Sequence, residues 1–239
     1  MTAIVKKEIT AFFASTIGYL VIAVFIVLSG LFLWVFKGDY NIFDAGFADL
    51  SAFFELSPWI FLFLIPAITM RAFSDEIKLG TLELMLTKPI SLRELVLGKY
   101  IAAVLLVLIA LLPSLLYIWA ISQLGMQEGN WDVGSTIGSY IGLFFLVLAY
   151  NAIGVFSSTV SSNQIVAFIT AIFMCFLFYF GFEAISEISQ SLDFIQLLGM
   201  KAHFDSVARG VLDTRDIIYF LSVSLFFISL TIFKLKRTS

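Results

Sequence analysis

The amino-acid sequence predicts an all-α protein that crosses a lipid bilayer several times. Apolar residues make up 61% of the 239 residues and charged residues only 13%, whereas soluble domains average about 45–50% and about 25%. The mean hydropathy is +1.04. Helices satisfy their own backbone hydrogen bonds inside lipid, so long uncharged runs predict transmembrane helices. We therefore expect one membrane domain over residues 1–239.

Six apolar runs are long enough to cross the membrane. A transmembrane helix needs about 20 mostly apolar residues to span the hydrocarbon layer. The first run is too long for the apolar part of a cleaved signal peptide and lacks a small-residue cleavage pattern, so we expect it to remain as an anchor. The predicted transmembrane helices are residues 17–36, 50–70, 100–124, 135–156, 164–182 and 217–233.

Residues 1–16 precede the first predicted span and have an amphipathic pattern. Apolar side chains recur there at helical spacing, while Lys6, Lys7 and Thr10 fall on other faces. We predict an interfacial helix whose cations lie among lipid headgroups. A simple extension of the first span is the alternative. The apolar stripe comprises Val5, Ile9, Phe12, Phe13 and Thr16.

Lys and Arg are divided unevenly between the two sets of loops. Ten fall in the N-terminal segment, residues 71–99 and the C-terminal tail, and four fall in the other loops. The acidic residues are divided five to twelve in the opposite sense. Since cytoplasmic loops are enriched in Lys and Arg, we expect both termini to be cytoplasmic.

Residues 71–99 contain nine of the 31 charged residues of the chain. A charge at the centre of a bilayer costs about 2.5–3.5 kcal/mol or more, so we expect this segment to be a cytoplasmic loop. Ser91 with Glu94 has the capping-box spacing of a helix start, as does Ser161 with Gln164. The helix that carries the third span is therefore expected to begin near Leu92, before it enters lipid.

Several functional classes are disfavoured by what the sequence lacks. The middle of each predicted span contains no Asp, Glu, Lys, Arg or His, whereas ion-driven carriers place such residues near the midplane. The one histidine, His203, falls in a loop without metal-ligand spacing, which disfavours an intramembrane enzyme. The chain also lacks the Gly-x-x-x-x-Gly-Lys-Ser/Thr motif of a P-loop. If nucleotide powers this protein, we expect another subunit to bind it.

The fourth predicted span opens with a row of small residues, Gly134, Gly138 and Gly142. Their spacing places them on one helix face and allows another backbone to approach closely. We predict helix packing at this row, with the partner in the same chain or in another. Deeper in the span, Asn151 is expected either to hydrogen-bond between helices or to line a substrate path.

Residues 183–216 form the longest loop and are partly apolar. Two stripes at helical spacing predict two short helices against the outer leaflet, and a solvated loop with amphipathic turns is the alternative. The first stripe comprises Ile185, Ile188 and Leu192, and the second comprises Phe204, Val207 and Val211.

The charged loop carries a sequence pattern that resembles the signature of ABC-2 type permeases. The resemblance extends over nearly the whole chain and is strongest to the permease subunits associated with gliding motility. It implies six spans with both termini inside, in the inner membrane of a bacterium. The matching residues are Asp75-Glu76, Lys78 to Thr87, Pro89-Ile90-Ser91 and Gly98-Lys99, with His203 to Ser206 and Arg209 to Asp216 in the last third.

The resemblance also implies how such a subunit is driven. A separate cytosolic ABC ATPase binds ATP-Mg, no cofactor is bound by this chain, and a coupling helix at about residues 81–87 receives the motion. In that helix, the apolar side chains would enter a groove of the ATPase, with Glu83 as a polar anchor and with Gly80 and Pro89 as its limits. The implied coupling residues are Glu76, Gly80, Thr81, Leu82, Glu83, Met85, Leu86 and Pro89.

The expected function is therefore that of a transmembrane permease subunit of an ATP-driven exporter or assembly complex. Its expected partners are the ATPase, a second permease copy or a homologous or auxiliary membrane subunit, and the lipid bilayer, but no nucleic acid. A non-transporting scaffold of a motility or secretion complex is one alternative. A permease of a copper-enzyme maturation system is another.

Overall fold

The computed structural model consists of helices joined by short connections. It describes residues 1–46, 48–86, 90–125, 131–187, 190–210 and 213–238. Within these ranges, only the backbone is described for residues 84–86, 190–193 and 238. The described residues contain no β-strand. The predicted all-α class is therefore confirmed.

Among the described residues, six helices are long and apolar enough to cross a membrane, which confirms the predicted number of spans. Helical structure continues beyond two of the apolar runs, so the second span extends to Leu79 and the third begins at Leu92. In chain order, spans 1 to 6 are Thr16–Trp34, Ser51–Leu79, Leu92–Leu124, Val133–Ser157, Gln164–Ser186 and Thr214–Arg237.

Spans 2 and 4 form the centre of the bundle. In each of them 67% of the hydrophobic segment is buried, compared with 28% in span 1 and 22% in span 5. Span 4 packs against spans 2, 3, 5 and 6. The peripheral spans consequently present most of their apolar side chains outward, as expected for helices in contact with lipid.

Span 3 contains a short irregular segment at Pro113. The ring of proline removes one helical hydrogen bond, and the backbone passes through a 3₁₀ turn at Leu112–Ser114. The Tyr140 hydroxyl of span 4 donates to the Ser114 carbonyl at 3.1 Å. A neighbouring span thereby supplies a hydrogen bond where the helix is interrupted.

The N-terminal helix, Thr2–Phe13, lies along the start of span 3. Its Lys6, Lys7 and Thr10 side chains are exposed, in agreement with the amphipathic pattern. Its most buried residue is Ile4, which the predicted apolar stripe omitted. A Cβ atom at Gly98 of span 3 would lie 2.9 Å from the Ile4 side chain, so the two helices meet closely at this glycine.

The two predicted helix starts had different outcomes. At span 3, the Ser91 hydroxyl accepts from the Glu94 N–H at 3.2 Å and the Glu94 carboxylate accepts from the Ser91 N–H at 3.0 Å, which confirms the capping box. At span 5 the prediction of a Ser161 cap is wrong. The Asn163 side chain caps that helix instead, because its amide oxygen accepts from the Ile165 N–H at 2.9 Å.

The long loop before span 6 contains two short helices in the described residues, a 3₁₀ helix at Gln190–Leu198 and an α-helix at Met200–Ala208. The α-helix is called the cap helix because it covers one end of span 4. Its Phe204 and Val207 side chains are buried. Ile188 and Val211 of the predicted stripes lie outside the described residues.

The bundle has two chemically different ends. The basic end carries the N-terminal helix, residues 71–86 and 90–99, the loop between spans 4 and 5, and the described part of the C-terminal tail. The acidic end carries the described residues of the other loops and the cap helix. The names follow the division of charges in the sequence.

Candidate functional site at the basic end

Span 2 continues as a helix well past its apolar run. The helix Ser51–Thr69 is followed by Met70 in helical conformation and then by Arg71–Leu79. It ends at Gly80, whose φ of +64° is a left-handed conformation that glycine adopts without steric cost. A second short helix, Thr81–Leu86, starts directly after it. The connection between spans 2 and 3 thus begins with a helical corner at Gly80.

A buried lysine joins three elements beneath this corner. Lys99 of span 3 is only 4% exposed. Its Nζ atom lies 2.7 Å from Glu76 Oε1 on span 2 and 2.9 Å from Glu8 Oε1 on the N-terminal helix. The same ammonium lies 5.2 Å from the centre of the Phe73 ring, within the range of a cation–π contact. Lys7 adds a longer contact of 3.8 Å to Glu76.

These four charged residues, Lys7, Glu8, Glu76 and Lys99, are called the charge network. A buried charge is tolerated only when it is paired, because the interior does not replace the lost hydration. Charge-assisted hydrogen bonds at these distances are among the strongest that side chains form. Removing one partner would leave the other buried and unpaired, so the network holds the N-terminal helix, span 2 and span 3 in one relative position.

A further contact ties span 2 to span 5. The Gln164 side-chain amide, at the first turn of span 5, donates to Asp75 Oδ1. Asp75 is adjacent to Glu76, so neighbouring residues of one helix turn bind span 5 and span 3. The corner at Gly80 is therefore the end of a helix that is attached on two sides.

The surface of the corner differs from the predicted coupling surface, beginning with Leu82. Leu82 is only 7% exposed and belongs to the hydrophobic core. This corrects the expectation that its side chain faces a partner, because it anchors the short helix to the chain itself. Glu83 is exposed, and Leu79, which the sequence analysis did not single out, is 73% exposed.

The remaining predicted coupling residues have different positions. Thr81 is half-buried at the start of the short helix, and Glu76 is buried in the charge network. The structure therefore brings Glu76 together with Lys99 and Glu8, which sequence reasoning did not connect. The side chains of Met85 and Leu86, and the whole of Pro89, lie outside the described residues.

The glycine row packs within the chain at the acidic end. A Cβ at Gly138 would lie 2.7 Å from the Val207 carbonyl oxygen, and one at Gly142 would lie 3.3 Å from the Phe204 ring. The partner of the row is therefore the cap helix. At Gly134 a Cβ would meet only an Asp132 carboxylate oxygen at 3.4 Å, an ordinary contact.

Polar contacts also fasten the cap helix to the span ends. His203 Nδ1 lies 2.6 Å from Asp216 Oδ1 of span 6, and His203 Nε2 lies 2.9 Å from the Leu197 carbonyl oxygen. Lys201 Nζ lies 2.5 Å from Glu183 Oε1 at the end of span 5. Burial opposes the charge of Lys201, but the hydrogen bond and the charge of Glu183 outweigh it and raise the pKa of Lys201. Burial raises the pKa of Asp205 on the same helix.

Inside the bundle, Asn151 is fully buried in span 4. Its amide nitrogen donates to the Val147 carbonyl of its own helix at 2.8 Å. Its amide oxygen has no partner among the described residues. Within the same described part of the chain, no three His, Cys, Asp or Glu side chains are grouped closely enough to hold a metal ion.

In the part of the chain that the structure describes, six apolar spans, an amphipathic N-terminal helix and a helical corner outside the apolar bundle form an all-α polytopic membrane protein. The chain belongs to the ABC-2 family of transporter proteins, because the family model described as "ABC-2 family transporter protein" matches residues 2–233. Members of this family lie in the lipid bilayer as components of membrane transport and generally pair with an ABC ATPase. Comparison with curated proteins gives no match.

Proposed function

We propose that this chain is the transmembrane permease subunit of an ATP-driven ABC-2 transporter. A separate cytosolic ATPase binds ATP-Mg and hydrolyses it, and a second permease copy or a homologous membrane subunit completes the path. Membership of the family supports the role. The excess of Lys and Arg at the basic end supports a cytoplasmic position for that end and for both termini.

The observation that carries the proposal is the buried charge network below the Gly80 corner. A force applied to the corner acts on a helix that is continuous with span 2. Lys99 and Glu8 transmit the displacement to span 3 and to the N-terminal helix through contacts of 2.7–2.9 Å. The Asp75–Gln164 hydrogen bond transmits it to span 5. Movement at one exposed point therefore reaches several spans together.

The contact surface for the ATPase is the exposed side of the corner. Leu79 supplies an apolar side chain that is 73% exposed, and Glu83 supplies an exposed carboxylate in the first turn of the short helix. An exposed leucine at a charged membrane surface is stabilised when a partner covers it. Leu82 packs the short helix against the rest of the chain, so a force on the Gly80 corner is not absorbed by bending of the short helix.

We further propose that the transporter is located in the inner membrane of a bacterium and serves gliding motility or secretion machinery. The sequence pattern of the charged segment and the stretch from His203 to Asp216 support this narrower role. An exporter requires a dedicated ATPase, whereas a scaffold does not, and this difference separates the two functions experimentally.

The first test is copurification from native membranes in mild detergent. We expect an ABC ATPase to remain bound to the chain, together with a second permease copy or homologue. Reconstituted into liposomes, the complex is expected to hydrolyse ATP faster than the ATPase alone. Absence of any copurified ATPase would favour the scaffold.

The second test uses a matched pair of glutamates. Glu83→Ala removes the carboxylate of the corner, and Glu187→Ala removes an exposed carboxylate at the acidic end. We expect Glu83→Ala to reduce the stimulation of ATP hydrolysis by about tenfold, the loss of one charged hydrogen bond at the interface. Glu187→Ala should leave it unchanged. Equal stimulation in both variants would contradict the assignment of the corner.

A further inference from the structure

A cavity of about 380 Å³ opens between the N-terminal helix and spans 2 and 3. Its size is that of a small-molecule pocket, for which about 300–1,000 Å³ is typical. One wall is apolar and comprises Ala67, Ile68, Ala102, Ala103 and Leu106. The other side carries the charge network together with Arg71 and Asp75. The cavity thus combines a charged part with an apolar part.

The charged lining is balanced in sign but not fully paired. The positive groups are Lys7, Arg71 and Lys99, and the negative groups are Glu8, Asp75 and Glu76. Arg71 forms no ion pair with any described residue, and its Nε atom is buried without a hydrogen-bond partner. Glu76, only 8% exposed, likewise has its Oε2 atom buried without a partner.

Among the described residues, one buried atom of a cation, Arg71 Nε, and one of an anion, Glu76 Oε2, lack hydrogen-bond partners, which points to a ligand that carries both charges. A buried donor or acceptor without a partner costs about 1–3 kcal/mol, and more if charged. A purely anionic ligand would serve Arg71 but would add repulsion at the three carboxylates. A purely cationic ligand would serve Glu76 and leave Arg71 unpaired. A dipolar ligand draws both side chains toward the cavity and satisfies them together.

We propose that the cavity binds the headgroup of a phosphatidylethanolamine-type phospholipid. The phosphate lies against Arg71 and the exposed Lys7, and the primary ammonium donates to Glu76. The acyl chains follow the apolar wall of spans 2 and 3 into the bilayer. Arginine suits this role because its planar guanidinium binds phosphate oxygens in pairs.

The primary ammonium distinguishes this lipid from phosphatidylcholine and phosphatidylglycerol. A trimethylammonium group, as in phosphatidylcholine, has no N–H to donate to the Glu76 carboxylate. Phosphatidylglycerol has no cation. The cavity borders the Gly80 corner, because Leu79 and Thr81 also line it, and it shares Glu76 with the charge network. Lipid binding in the cavity does not require the proposed ATPase contact.

The test is lipid retention by the purified full-length protein, measured by native mass spectrometry at equal concentrations of the three lipids. We expect phosphatidylethanolamine to be retained at least about tenfold more than phosphatidylcholine or phosphatidylglycerol, equivalent to about 1.4 kcal/mol. Equal retention of the three would mean that only non-specific boundary lipid is bound. Preference for phosphatidylglycerol would mean that the cavity recognises an anion alone. Either result overturns the proposal.

A variant pair localises the effect. Arg71→Gln should lower the retention of phosphatidylethanolamine by about tenfold, whereas Arg93→Gln, which removes an exposed cation of the same segment, should not change it. Unchanged retention in Arg71→Gln would overturn the assignment. Soluble phosphoethanolamine at equal concentration should not displace the lipid, because it lacks the acyl chains; displacement would show that a free phosphate compound is the ligand.

Discussion

The two ends of the bundle use ion pairs for different purposes. At the basic end, Lys99 bonds to residues 23 and 91 positions away and is 4% exposed. At the acidic end, the pairs of Lys201 and His203 join residues 18 and 13 positions apart, and the Lys201 side chain remains 33% exposed. The basic end therefore joins elements that are distant in the sequence, whereas the acidic end closes a local cap. This difference predicts where a mutation disturbs the whole bundle.

The largest effect is expected from Lys99→Met. The substitution preserves most of the side-chain volume but leaves buried Glu76 with only the longer contact of 3.8 Å to Lys7. Breaking a buried pair in this way typically costs about 3–5 kcal/mol. The free energy of unfolding in mixed micelles measures the loss. Lys78→Met removes an exposed lysine from the same segment and serves as the control.

A second substitution tests the origin of that loss. Adding Glu76→Gln to Lys99→Met removes the uncompensated charge and should restore part of the stability. Equal free energies of unfolding for Lys99→Met and Lys78→Met would show that the charge network does not hold the elements of the basic end together.

At the acidic end, His203→Ala should reduce stability by about 1.5–3 kcal/mol. The His203 ring nitrogens lie 2.6 Å from Asp216 Oδ1 and 2.9 Å from the Leu197 carbonyl oxygen. A hydrogen bond that involves a charged group contributes about 1.5–3 kcal/mol. The ring also stacks on Tyr219 with 3.9 Å between centroids.

Lys201→Ala is the matched variant on the same helix. Its partly exposed pair with Glu183 should be worth only about 0–1 kcal/mol, because water screens and replaces it. Thermal unfolding of both variants in the same detergent ranks them. A larger loss of stability in Lys201→Ala than in His203→Ala would contradict this ranking of the two contacts.

Gly138→Ala should destabilise the packing of the cap helix on span 4. The added methyl would meet the Val207 carbonyl at 2.7 Å, and backbone cannot move aside as a flexible side chain can. Overpacking of this kind costs about 1–3 kcal/mol. Gly134→Ala, where the new Cβ would have only an ordinary contact, should be nearly neutral. Similar thermal unfolding midpoints for the two variants would contradict the close approach at Gly138.

The smallest effect is expected from Ser91→Ala at the start of span 3. Loss of the capping hydroxyl should cost about 1 kcal/mol. Ser161→Ala should cost less, because Asn163 caps span 5. Amide hydrogen exchange in the first turns of the two spans measures the difference. Faster amide exchange in the first turn of span 5 in Ser161→Ala would show that Ser161 caps this helix, as the sequence predicts.

The spans could be predicted because the thickness of the hydrocarbon layer fixes the length of an uncharged run. The capping box at Ser91 was predictable because both partners are local in sequence. At span 5, two polar residues competed for the same role, and sequence spacing favoured Ser161 although Asn163 lies directly before the helix.

The charge network could not be predicted from the same rules. The sequence places Lys99 in the charged segment that is expected to be a cytoplasmic loop, and no local pattern relates it to Glu8. The face of the short helix was also undetermined, because the left-handed turn at Gly80 sets its direction independently of the preceding helix. As a result, Leu79 is exposed and Leu82 is buried, although both lie in the segment with the family pattern.

A cytosolic ATPase can reach the Gly80 corner only if the corner faces the cytosol. Labelling of single introduced cysteines tests this directly in intact cells, with a membrane-impermeant maleimide and with the buried Cys175 replaced by serine. We predict that Glu83→Cys is labelled only after the membrane is permeabilised, whereas Glu187→Cys is labelled before. Labelling of Glu83→Cys in intact cells would place the corner outside the cytosol and contradict the proposed ATPase contact.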